Sequence, residues 1–163
     1  MLPNILKTKK GFTLMELLVT VILVAVLASY SVYHYNNTMD EGKLNAAKGK
    51  LAALGGAVER YKIENLWGTA TSSSDIKISP SQMNGSCDLS QPGDYYNVFR
   101  CGYAEKSLGI SGDSFDFYIG NPKGDCGGEY NGITVYMTPK ETSSVYPKCA
   151  YFHPDFDKVL EVK

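Results

Sequence analysis

At 163 residues the chain is long enough for one modest domain plus a tail. Its 16 Lys and Arg against 17 Asp and Glu leave a formal charge of −1, so no basic surplus recommends nucleic acid as a partner. The 16 glycines and 12 tyrosines favour a turn-rich globular part over a simple helical rod.

Residues 1–11 form a short basic head, with Pro3 near its start and Lys7, Lys9 and Lys10 near its end. An apolar run follows. Phe12 to Tyr35 is 24 residues, above the roughly 20 that a helix needs to cross a hydrocarbon core. The positive-inside rule keeps the lysines cytoplasmic and places the rest of the chain across the membrane. Between Lys10 and Asp40 the only charged residue is Glu16. A carboxylate in such surroundings costs on the order of 2.5–3.5 kcal/mol at a helix centre and less near the end. A charge retained there implies a function and a partner.

Lys10-Gly11-Phe12-Thr13-Leu14-Met15-Glu16-Leu17-Leu18-Val19 resembles the start of type IV pilins and of the related pseudopilins of type II secretion. The resemblance covers about Lys9 to Ala28 and fades to general architecture beyond it. It implies that a membrane prepilin peptidase cuts between Gly11 and Phe12, and that the new amino group of Phe12 is N-methylated. It also implies that the mature subunit waits in the inner membrane and is then drawn by an assembly platform into a helical filament. There the carboxylate at the position of Glu16 faces the terminal ammonium of a neighbouring copy. Phe12 and Glu16 are i and i+4, which on a helix puts both charges on one face. In a low-dielectric surround an unpaired charge is much worse than a pair, so the contact would fix axial register.

A conventional secretory signal is the rival of a different class. Its basic region would be Lys7, Lys9 and Lys10, its apolar core Leu17 to Leu27, and Val26-Leu27-Ala28 its cleavage site. Glu16 at the head of the core argues against it, and the Gly-Phe junction goes unexplained. The mature N-terminus separates the two: Phe12 or Ser29. Removal of residues 1–11 leaves 152 residues with 13 basic and 17 acidic side chains, a formal charge of −4.

Tyr30, Tyr33 and Tyr35, with His34, suit the membrane–water interface. Many pilins carry a proline where this chain has Tyr33, so the local loosening that the proline marks is not expected here. Asp40 to Glu64 continues the helix in water. Leu44, Ala47, Leu51, Leu54, Val58 and Tyr61 recur as one apolar stripe that should lie on the globular part. Gly42, Gly49 and Gly56 recur every seven residues on the opposite face. They suit either close packing between copies or simple looseness, with Gly55-Gly56 as a bend. Trp67-Gly68 and Thr69 to Ser74 end the helix and open a loop.

From Asp75 the period changes to two. Ile76-Lys77-Ile78, Tyr95 to Tyr103, Phe115 to Ile119 and Ile133 to Met137 read as strands, separated by clusters of Gly, Pro, Asn and Asp. The expected class is α+β: a long N-terminal helix, its first half transmembrane, packed on a small antiparallel sheet, also the pilin-like arrangement. The expected divisions are a leader at 1–11, a transmembrane assembly half at 12–35, an amphipathic half at 36–66, and a β-rich head at 67–163.

Cys87, Cys101, Cys126 and Cys149 all lie beyond the crossing, and an even count in an exported domain reads as two disulfides. Three connectivities are possible; Cys87–Cys101 and Cys126–Cys149 pair nearest neighbours in sequence. Zinc at Cys149 and His153 lacks a Cys-x-x-Cys and has only two histidines to draw on. Asp113 with Asp116, and Asp125 with Glu129, are candidate calcium ligands without EF-hand spacing. There is no His-Glu-x-x-His, no Gly-x-Ser-x-Gly and no Walker loop, so neither catalysis nor a cofactor is expected. The expected function is a structural subunit of a type IV pilus or pilus-like filament, polymerised from the inner membrane to the periplasm or the cell exterior. Its expected partners are other copies of itself and other pilins. A pseudopilin of a type II secretion or DNA-uptake system shares every motif.

Overall fold

A run of 28 residues without proline or glycine, from Phe12 to Met39, followed by an amphipathic stripe, sets the first element. In the computed structural model, which describes residues 11–65, 75–90, 94–108, 114–122, 126 and 132–162, helix α1 spans Leu14–Glu64. The chain separates after Met39 into two compact units, taken in turn below.

In the first unit the helix carries its apolar side chains outward, with residues 11–36 all exposed. It is one helix long and apolar enough to cross a membrane. The helix continues through Tyr33, where a proline would have removed a hydrogen bond.

In the second unit, from Asp40, the same helix buries Leu44, Ala47, Leu51, Leu54, Val58 and Tyr61, every member of the stripe. Against it lies an antiparallel sheet in simple sequence order: β1 (Ile76–Lys77), β2 (Phe115–Gly120), β3 (Thr134–Pro139), β4 (Cys149–His153) and β5 (Lys158–Val162). Phe117 pairs with Met137 and Ile119 with Val135, which sets these side chains on one face with Phe115 and Ala150. That face and the helical stripe make the main core. Leu51, Leu54 and Val58 are wholly buried, each contributing about 1.5–3 kcal/mol. The α+β class is the one the periodicities predict.

Three expectations change. Tyr95 to Tyr103 is a turn followed by a short helix, α2 (Asn97–Arg100), not a strand. The Asp94 carboxylate accepts the Tyr96 amide at 3.1 Å and starts the turn. Tyr95, Asn97, Val98 and Phe99 are then all buried, which no half-exposed strand allows. Gly55-Gly56 is not a bend, since α1 runs through it. Finally, β4 and β5 extend the meander beyond the four strands read from the sequence. Trp67 and the loop to Ser74 lie outside the described residues.

Candidate assembly site

The head of α1 is built by Thr13. Its hydroxyl accepts the Glu16 amide at 3.2 Å, while its carbonyl accepts the Leu17 amide at 3.2 Å. Thr13 is therefore the N-cap and Glu16 the third helical residue, the spacing of a capping box. The cap contributes about 1 kcal/mol, and the carboxylate stands in the first turn, where the helix dipole favours negative charge. Phe12 precedes the helix. The i to i+4 relation expected of Phe12 and Glu16 on one helical face thus does not hold. An amine at Phe12 would sit just outside the cap, beside the positive end of the helix. Thr13-Leu14-Met15-Glu16 was the legible signal for this, and periodicity alone passes over it.

Gly11 is exposed, and a side chain added there would meet nothing within 4 Å. Phe12 beside it is 80% exposed.

Further along, polar side chains on the apolar helix turn back on it. Thr20 donates to the Leu17 carbonyl at 2.8 Å, Ser29 to Ala25 at 2.8 Å, Ser31 to Leu27 at 2.8 Å and Thr38 to His34 at 2.9 Å. Their hydroxyl protons are thereby satisfied without water. Tyr30 and Tyr33 flank His34, with ring centroids 4.3 and 5.8 Å away.

In the second unit Cys87 is bonded to Cys101 and Cys126 to Cys149, with Cα–Cα separations of 4.7 and 5.1 Å. The first bond staples the segment beside α2. There Asn97, fully buried, accepts the Asp88 amide at 3.3 Å and donates to the Asp88 carbonyl at 2.5 Å. The second staples the outer sheet face, where Tyr118 and Tyr136 stack with centroids 5.0 Å apart. With Cys149 oxidised, it and His153 do not form a zinc thiolate site. Of the candidate calcium ligands, Asp113, Asp125 and Glu129 lie outside the described residues. Asp116 is held by Lys77 at 2.6 Å and Lys140 at 3.7 Å. No group of three or more metal-ligating side chains occurs among the described residues.

Sequence reasoning also passed over Asp40. Its carboxylate accepts from Ser143 Oγ at 2.9 Å and Tyr146 Oη at 3.1 Å, fastening the β3–β4 connection to the helix. The Ser143 hydroxyl, then Tyr146 and Lys43, hold its pKa below the usual carboxylate value against a smaller opposing effect of burial.

The head of the chain thus joins an exposed Gly-Phe pair, a capped carboxylate and an apolar helix. Residues 6–31 match the family model described as the prokaryotic N-terminal methylation motif. The chain is 34% identical over 59 residues to the type II secretion system core protein G of Pseudomonas aeruginosa, covering 36% of this chain and 42% of that one. It is 32% identical over 60 residues to the core protein G of Klebsiella pneumoniae, covering 37% and 43%. The chain thus matches about two-fifths of the length of these curated relatives. No solved structure matches.

Proposed function

We propose that this chain is a structural subunit of a type IV pilus-like filament. A prepilin peptidase would cut between Gly11 and Phe12 and methylate the new Phe12 amine. The subunit would rest in the inner membrane by residues 12–35, with residues 36–66 continuing the helix and 67–163 as the exported head. It would then be drawn by an assembly platform into a helical array with copies of itself and other pilins. The observation that carries this reading is the lone Glu16 carboxylate at the capped head of an apolar helix. An ammonium released at Phe12 is the partner that removes the cost of burying it.

The similarity to two core proteins G of type II secretion supports the pilus-like filament, and a pseudopilin of a secretion system fits it equally. Mass spectrometry of the protein from its native membrane tests the proposal. The expected mature chain begins with N-methylated Phe12, and sheared or detergent-extracted fractions contain fibres of it. A mature chain beginning at Ser29 would make the segment an ordinary export signal and remove the role.

A further inference from the structure

The second unit carries two complementary features. The turn between β4 and β5 is Pro154-Asp155-Phe156-Asp157, a single 3-10 turn closed by Asp157 at φ 47. Phe156 is 61% exposed, the sole exposed aromatic ring among the described residues from Asp40 onward. Acids flank it on both sides, Asp155 with a side chain 79% exposed. The His153 ring, 4.5 Å from the Phe156 centroid, and Lys158 Nζ, 4.9 Å from it, brace the ring and leave most of it outward. A left-handed conformation at a residue other than glycine is uncommon and keeps the turn tight.

The second feature is a hollow of about 200 Å³ between α1 and β2. Phe115 and Phe117 form its floor, Ala46 and Ala47 its wall, and Lys43 and Lys50 its rim. An apolar space of about 150 Å³ holds a benzene ring, so this one has room for a phenyl side chain. Its cationic rim matches the acids beside Phe156.

The two features cannot meet within one copy. The hollow lies at residues 43–50 of the helix, by the first residues of β2. The turn follows Phe152, which packs on Gly55, and lies beside β5 at the other edge of the sheet. At 1.5 Å per residue, Gly55 stands about 7–18 Å further along the helix than the hollow's rim. A contact between unlike patches offset along an axis climbs from copy to copy instead of closing.

We infer that the Phe156 turn of one copy seats in the hollow between Lys43 and Lys50 of the next, with Asp155 and Asp157 facing the lysines. The inference rests on the filament reading above and names one contact that propagates it. It is tested with the full-length chain expressed in its membrane. Asp155→Cys combined with Lys50→Cys, which leaves the Phe156 ring in place, should give, on mild oxidation, a ladder of covalent multimers. Either cysteine alone should stop at dimers. Lys50→Glu and Asp155→Lys should each lower fibre yield about tenfold, as like charges meet, and the two together should restore it. Phe156→Ala, altering an exposed side chain, should keep a protease-resistant head and lose fibres to a similar degree. Normal fibres from Phe156→Ala with no ladder from the cysteine pair would overturn this contact and leave the filament standing. Absence of fibres from the unaltered chain, with a mature N-terminus at Ser29, would overturn both.

Discussion

Phe152 on β4 occupies the space that a side chain on Gly55 of α1 would need. A Cβ built on Gly55 overlaps the Phe152 ring and its Cβ, while one on Gly56, Gly49 or Gly42 meets nothing within 4 Å. Helical glycine costs about 0.8–1.0 kcal/mol against alanine, but overpacking costs about 1–3 kcal/mol. Gly55→Ala should therefore destabilise the head, and Gly42→Ala, Gly49→Ala and Gly56→Ala should each stabilise it by up to about 1 kcal/mol. Thermal melting of the detergent-solubilised protein reads both signs. If the outward alanines raise the melting point and still reduce fibre yield, the heptad of glycines is a surface where copies pack closely. If yield is unchanged, those glycines are mere looseness.

Glu16→Ala should leave cleavage after Gly11 largely intact and stop or cripple assembly. Gly11→Ala, or a bulkier residue, should block processing and leave the precursor in the membrane. Immunoblots for the two chain lengths, beside micrographs of sheared fibres, separate the effects. Normal fibres from Glu16→Ala would remove the pairing role.

The disulfides close loops of 14 and 23 residues, each contributing about 3 kcal/mol on the chain-entropy model. Reduction should lower the midpoint of chemical denaturation of the head without affecting membrane insertion. Two variants, Cys87→Ser with Cys101→Ser and Cys126→Ser with Cys149→Ser, apportion the loss. Denaturation curves that coincide with and without reductant would contradict it.

Asp40 gives the head an acid-sensitive fastening. Its pKa is lowered in the folded state, first by the Ser143 hydroxyl and then by Tyr146 and Lys43. The stabilisation is thus fully present above the unfolded value of about 3.9 and is lost as pH falls through the lower folded value. Amide exchange in residues 140–148, taken relative to the intrinsic rate at each pH, should quicken below about pH 4. Asp40→Asn should quicken it at neutral pH and abolish that pH dependence.

The helix and its stripe were legible because a 3.6-residue period survives whenever one face is buried and the other is wet. β2 was legible for the matching reason, since Phe115, Phe117 and Ile119 alternate with half-exposed Asp116 and Tyr118. β3 was legible because Thr134 and Tyr136, which alternate with Val135 and Met137, carry hydroxyls although they are buried. β4 was not, because it is buried on both sides. Ala150 belongs to the core with the helix and Phe152 packs on Gly55, while Cys149 and Tyr151 lie under the disulfide cluster. Alternation vanishes when both faces are apolar. The segment from Tyr95 failed in the opposite way. Its spacing mimics a strand, but Asp94 opens a turn and Asn97 is spent on the backbone of Asp88. The geometry around Glu16 was hidden in Thr13, whose hydroxyl caps the helix.

The hydroxyls of Thr20, Ser29, Ser31 and Thr38 have a consequence for movement. A side chain that already bonds a carbonyl of its own helix makes no demand on whatever lies alongside. In the filament proposed above, acyl chains could be exchanged for the flanks of sister helices, or the reverse, without any of these bonds opening. On the filament reading, the rod is therefore indifferent to its surroundings along almost its whole greasy length, and only its acidic tip has to find a new partner.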